Sequence, residues 1–398
     1  MAMVELPVVP AFTADHARTL GGPSWLAERR VEAAERFAAA PRPTTAEEIW
    51  RYSRIDELDL DAFAPAAADD AGWQTTVEGG AGLLVGPRDA ADLVGSVMTE
   101  AADVFAELNT AFMREPLVLS VPPGKAVVDT VVITHQVTGQ GTAVFPRLVI
   151  DAGPDSEVTV VERFTSEADV RALVAPVLEL RAHQAARVRY LAVNELGQQV
   201  WQIASQAAVG ERDSTTLMGA VALGGDYARV RTENVLDGQG ASARQIAVFF
   251  AEADQMHDFR TIQTHVGPRT TSDLLFKGAV AGRSRSVYTG LIEIGHEAKG
   301  ANAFQTNRNL KLSDGAWSES VPNLDIKTND VRCSHASTVG PIDEDQRFYL
   351  ESRGVPPTIA ERLIVLGFFD EVLDQLPAPG LIPALRRQVM AKLDRKDA

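Results

Sequence analysis

The sequence predicts a mainly β chain in which a β-solenoid is flanked by α-helical segments at its N-terminal and C-terminal ends. Three observations point there. From Pro116 to Gly340, short segments rich in β-branched residues are separated by Gly, Asp and Asn, the punctuation of strands and corners. Toward Gly340 these segments recur at about 30 residues, the spacing of stacked repeats. No long helical segment clearly alternates with them, which disfavours a doubly wound parallel sheet.

The N-terminal part reads as helical from about Asp15 to Leu60. Between Trp25 and Ala40, Leu26, Ala33 and Phe37 stand against Glu and Arg at close to the helical period. Pro41 and Pro43 stop that helix, and Thr44 or Thr45 offers a cap for a short second one through Ile49 and Trp50. Asp61 to Asp70, rich in Ala and Asp around Pro65, reads as a linker. Gly80-Ala-Gly-Leu-Leu-Val-Gly86 has neither Gly-Lys-Ser/Thr nor a full dinucleotide fingerprint, so a turn before a strand is expected. Ala101 to Met113 predicts a helix with Val104, Leu108 and Phe112 on one side. The division is therefore 1–115, mainly helical; 116–340, the β core; and 341–398, helical again.

Within the core, Leu117–Val121, Val127–Thr134, Arg147–Asp151, Glu157–Glu162 and Arg187–Val193 are the first strand candidates. Gly225-Asp226 and Asp237-Gly238 are corner candidates. Farther on, Thr261–Gly267, Gly290–His296 and Asn323–Asn329 interleave with Ser272–Gly278, Asn302–Asn307 and Val331–His335. A strand this short cannot close a core alone, so each coil must bury its apolar face on the next. Such a stack also lets a chain of 398 residues exceed the usual size of one core. After Gly340 the pattern turns helical. Asp343 to Arg353 has acid at its start, Arg at its end and Gly354 just beyond. Thr358-Ile-Ala-Glu361 has the form of a capping box opening an apolar helix through Leu363, Ile364, Leu366, Phe368, Phe369 and Val372. That density predicts burial on more than one side, part against the solenoid and part against a partner, with a purely intrachain cap as the alternative. Leu381 to Arg395 closes the chain as a helix carrying Leu385, Val389 and Leu393.

A net charge of −16 argues against a nucleic-acid surface. One cysteine excludes an intrachain disulfide framework and a four-thiolate metal site within one chain. The start, Met-Ala-Met-Val-Glu-Leu-Pro, lacks a basic region followed by a secretory apolar core, and no apolar run reaches the ~18 residues of a membrane span. A cytoplasmic protein with no membrane or nucleic-acid partner is expected.

Cys333 and His335 are two apart, so on a strand their side chains share a face. A thiolate and an imidazole so placed suit a soft metal such as iron or zinc, but two ligands need further ones from elsewhere. The plainer alternative is a buried small Cys and a hydrogen-bonded His. No Gly-x-Ser-x-Gly elbow exists, and Gly295-His-Glu-Ala-Lys299 lacks the second His of a zinc protease. His257, His265 and His296 fall on expected coils. Asp254, Asp258 and Asp273 are the acids that a second reading, a β-helix carbohydrate lyase or hydrolase, would use.

Several stretches taken together resemble one family. Ser320-Val-Pro-Asn-Leu-Asp-Ile326, Asp330-Val-Arg-Cys-Ser-His-Ala-Ser-Thr-Val-Gly340, Phe348-Tyr-Leu-Glu-Ser-Arg-Gly354, the apolar helix Ala360 to Leu373 and Glu48-Ile-Trp-Arg-Tyr52 are similar, in order, to the SufD branch of the SufB/SufD family. The resemblance implies a right-handed parallel β-helix and a non-catalytic scaffold subunit of the SufBCD iron–sulfur cluster assembly complex. It implies pairing with SufB through the β-helix; whether a homodimer forms in isolation is left open by the sequence. It also implies docking of the SufC ATPase on the C-terminal helices, with Phe348, Tyr349, Leu363, Phe368 and Phe369 as candidate contacts. The family's His maps to His335 at the nascent-cluster interface, with Cys333 adjoining. No cofactor would be held tightly by this chain alone; the cluster would be transient and belong to the complex. The SufB branch carries a Cys shortly before its Val-Pro and a Glu after the His. Here Gly315-Ala-Trp-Ser-Glu-Ser320 and Ala336 stand there instead. Ala336 also replaces the Gly commoner in the SufD branch. The absence of a Walker motif fits an ATPase supplied by another polypeptide.

Overall fold

From Leu117 to Gly340, strand follows strand around tight corners, and each pairs in parallel with the strand one coil later rather than with its neighbour in sequence. The computed structural model describes residues 11–67 and 72–395. It is mainly β, a solenoid of about eight turns with helices at both ends. Sheet one ends in Tyr227–Leu236, Met256–His265, Arg285–Ile294 and Trp317–Ile326. Sheet two ends in Ser242–Ala251, Thr271–Val280, Ala301–Lys311 and Val331–Gly340.

Equivalent positions of successive coils stack in register, so the interior reads as columns. In sheet one an inner column runs Leu119, Ile150, Leu180, Ala208, Asn234, Gln263, Ile292, Leu324. In sheet two another runs Val131, Val160, Tyr190, Met218, Gln245, Leu274, Gln305, His335. Both begin apolar and take up amides later, at Asn234 and Gln263 in sheet one and at Gln245 and Gln305 in sheet two. One line of corners is left-handed at Gly124, Asp155, Ala185, Asp213, Gly240, Arg269 and Gly300. Each of these residues donates its N–H to a carbonyl of the next coil at 2.7–3.0 Å. This satisfies backbone groups that a corner would otherwise leave bare. Four of the seven are not glycine, which is why the corners are hard to read from Gly alone.

At the first turn the parallel ladder stops. Trp73–Glu78 runs antiparallel to Val131–Val137, and Leu84–Val85 antiparallel to Leu117–Val121. The expected linker departs from expectation: Ala64-Pro65 pairs in parallel with Thr142 and Ala143, tying that segment to the solenoid, and residues 68–70 of it lie outside the described residues. Helices α1 (Ala14–Thr19), α2 (Ser24–Ala39) and α3 (Val104–Phe112) bring Phe12, Phe37, Phe105 and Phe112 onto Trp201, Tyr227 and Met256 on the outer face of sheet one. The expected second helix is a single 3-10 turn, Glu48–Trp50, and the Thr45 side chain bonds Asp56 instead of capping it. Arg30, in the middle of α2, is buried because its guanidinium donates to the carbonyls of Met113, Gly21 and Arg114.

After Gly340, α4 (Glu344–Ser352) is capped by the Asp343 carboxylate, which accepts from the N–H groups of Asp345 and Gln346. Gly354 follows at φ +84°. The next helix, α5 (Pro357–Leu373), starts before the expected capping box: Pro356 occupies the cap position, Pro357 opens the first turn and Thr358 is already helical. With α6 (Ile382–Asp394), it packs Val365, Phe369, Val372, Leu385 and Val389 on Leu191, Val221, Ile246, Val248 and Phe250 of sheet two. The buried Lys392 ammonium reaches Glu252 at 3.0 Å and Gln255 at 2.7 Å, fastening α6 to a corner. No helix among the described residues is long and apolar enough to cross a membrane.

Candidate functional site at the open end

Among the described residues, each sheet ends on a strand with a neighbour on one side only: Trp317–Ile326 lies beside Arg285–Ile294, and Val331–Gly340 beside Ala301–Lys311. Their other edges carry unused backbone donors and acceptors, a template for another strand. In Trp317–Ile326 the N–H of Trp317 bonds Ser284 and that of Lys327 bonds Ile294. By alternation, the even-numbered residues turn their N–H outward. Pro322 is one of them, so its missing donor breaks no bond of the ladder, and it notches the open edge.

The register sets Cys333 above Ala303, His335 above Gln305 and Ser337 above Asn307. Ala303, Gln305 and Asn307 face the interior and are buried. Cys333, His335 and Ser337 therefore continue interior columns, and no coil follows to cover them. His335 is accordingly exposed although it occupies an inner position. Cys333 is half-buried against Ile292, Ile294 and Ala303, and that burial pushes its thiol pKa up, favouring the protonated form. Beneath the mouth lies a polar floor of Gln305, Asn307 and Asn309, exposed by 1%, 1% and 4%. Asn307 donates to the Ser320 hydroxyl at 2.9 Å, whereas both amide atoms of Gln305 and the side-chain oxygens of Asn307 and Asn309 have no partner among the described residues. The floor escapes sequence reading because alternating polar residues in Gln305-Thr-Asn-Arg-Asn309 normally mark the wet face of a strand.

The remaining candidates separate. His257 is fully buried, its Nε2 3.2 Å from the Gly224 carbonyl, and burial lowers its pKa to about 3. His265 sits between the hydroxyls of Thr270 and Ser272, each at 2.8 Å, with its pKa lowered by burial to about 4. His296 is exposed at a corner. Asp258 is buried in an ion pair with Arg229 and accepts from the Tyr227 hydroxyl at 2.8 Å, Asp254 is taken by Arg283, and Asp273 faces Arg244 at 3.5 Å. Each of these three acids is paired with its own arginine. Among the described residues, no three His, Cys, Asp or Glu side chains converge to hold a metal ion.

On the C-terminal helices, Phe348, Tyr349 and Leu363 are 73%, 57% and 50% exposed. Tyr349, Leu363 and Phe368 line a groove between α4, α5 and sheet two, rimmed by Asp343, Asp345 and Glu371. The Phe368 carbonyl and ring both meet the Lys277 ammonium, at 3.0 Å and at 4.5 Å from the ring centre. Phe369 corrects the sequence expectation. It is fully buried, its ring stacked on Phe250 with centres 6.2 Å apart, so it anchors α5 to the solenoid instead of facing a partner.

Fold and site together define a class: a parallel β-solenoid with helical ends whose last coil leaves an imidazole exposed, a thiol half-buried beside it and two strand edges unpaired. Residues 135–368 match the family model described as SUF system FeS cluster assembly, SufBD core domain. An iron–sulfur cluster assembly SufBD family protein of Mycobacterium tuberculosis is 30% identical over 366 residues, covering 89% of each chain. The iron–sulfur cluster assembly protein SufD of Bacillus subtilis is 30% identical over 322 residues, 79% of this chain and 72% of that one. SufD of Escherichia coli is 25% identical over 382 residues and 89% of each chain. The chain belongs to the SufBD family of iron–sulfur cluster assembly proteins.

Proposed function

We propose that this chain is a SufD-type, non-catalytic and cytoplasmic subunit that pairs through its open strand edges with SufB and carries SufC on its C-terminal helices. One observation carries the reading: His335 continues an interior column on a strand whose outer edge has no neighbour among the described residues. A strand added there would place the partner's next side chain directly over the imidazole, about one strand spacing away. The cluster is cargo of this pair. This chain offers it at most one imidazole and one thiol, so the other ligands must come from the facing subunit. His335 is the stronger donor of the two, because it is exposed and Cys333 is held toward its neutral form. The exposed Phe348, Tyr349 and Leu363, with Phe368 in the groove wall, are the surface offered to the ATPase subunit. Phe369 is not part of it.

The test is His335→Ala in the reconstituted three-subunit complex. Cluster yield, followed by iron and sulfide content and visible absorption, should drop at least about tenfold, no less than the loss of a supporting contact to a metal ligand. The subunits should still co-elute. Full yield from the variant would remove His335 from the site.

A further inference from the structure

The loop Glu48 to Tyr52 crosses the outer face of sheet one and stops at its open edge. Arg260 donates to the Glu48 carbonyl at 3.0 Å and Arg229 to that of Ile49. The buried Trp50 ring lies 4.3 Å from the Arg229 guanidinium. With the loop so fixed, Tyr52 adopts φ +65° and sets its ring against Trp317, the first residue of the terminal strand, with centres 6.2 Å apart. A bulky side chain in the left-handed region is strained and persists where its surroundings dictate it. Yet the two rings remain 45% and 38% exposed, a poor return for that strain in the isolated chain.

The column explains what is missing. In earlier coils the position of Trp317 is held by Trp201, Tyr227 and Met256, all buried under the N-terminal helices, and then by Arg285. Trp317 ends that column with no coil beyond it. Arg285 is itself exposed, and a strand laid on the edge Trp317–Ile326 would bring a side chain over Trp317. We propose that Tyr52 and Trp317 form an aromatic clasp receiving an apolar side chain from the strand that a partner solenoid, a different subunit from this chain, adds there. The N-terminal segment thereby takes part in pairing. This rests on the reading that the open end pairs with SufB.

The experiment measures the dissociation constant of the full chain for purified SufB, and for itself, alongside the unfolding midpoint. Tyr52→Gly removes the ring and relieves the left-handed backbone; Trp317→Ser removes the other half. Each should keep or raise the unfolding midpoint while weakening heterodimer formation at least about tenfold, the scale of a central aromatic contact. Unchanged affinity in both overturns the clasp, and so does a loss confined to self-association. Leu324→Pro separates this from the pairing itself. The Leu324 N–H faces the open edge, so proline there spares the intrachain ladder but deletes a donor to the added strand. If Leu324→Pro pairs normally, the pairing reading falls and the clasp with it. If it abolishes pairing while both ring variants bind fully, the clasp alone falls.

Discussion

The two ends of the solenoid are finished differently. The first turn is apolar inside, with Leu83, Leu119, Val131 and Ile133 all buried, and antiparallel strands lie along both sheets. The last turn carries buried Gln305, Asn307 and Asn309 beside an apolar patch, leaves His335 exposed and ends on parallel strands. An antiparallel strand brings a parallel coil to a halt, whereas a bare parallel strand invites another. The amide of Gln305 and the side-chain oxygens of Asn307 and Asn309, buried without a protein partner among the described residues, cost stability that an apolar end would keep, which ties the contrast to function.

The largest effect that sharpens this contrast concerns the covered outer face. Asp258→Ala strands the Arg229 guanidinium beneath Trp50 and should cost about 3–5 kcal/mol in urea unfolding. Ser337→Ala at the mouth should change stability by less than about 0.5 kcal/mol. Equal costs at the two places would erase the contrast. A smaller effect reports on the sealed interior. The folded His257 takes up no proton until about pH 3, while the unfolded chain binds one below its ordinary value near 6.5. Protons thus favour the unfolded state, and stability should fall as pH drops from 6.5 toward 3. His257→Leu should flatten that slope in urea titrations at pH 7, 5.5 and 4.5; a slope identical to the parent's would count against burial as its cause. A purely local effect lies on α4, which buries none of its residues. Asp343→Ala should cost about 1 kcal/mol of local helix stability, seen as faster amide exchange in residues 344–347 with the global midpoint unchanged.

Much of this architecture is legible in the sequence, for identifiable reasons. Coils of nearly constant length leave a period, and Leu385, Val389 and Leu393 fall where a helix must put them to be buried together. The pair Cys333 and His335 is also readable, since strand alternation alone sets both on one face. What escapes is whatever tertiary contact rewrites. Ala64-Pro65 looks like a linker until Thr142 and Ala143 supply a neighbour. Arg30 and Asp258 look solvated until carbonyls and a guanidinium enclose them. Phe369 and Leu363 look alike in an apolar run, and only the position of Phe250 sends one inward and leaves the other outside.

Unlike ends also give the rod a polarity that limits how many can join. Stacking head to tail would lay a parallel coil against an antiparallel strand, so a fibre has no repeating joint. Joined mouth to mouth, two rods consume both bare faces at once, and growth terminates at a pair.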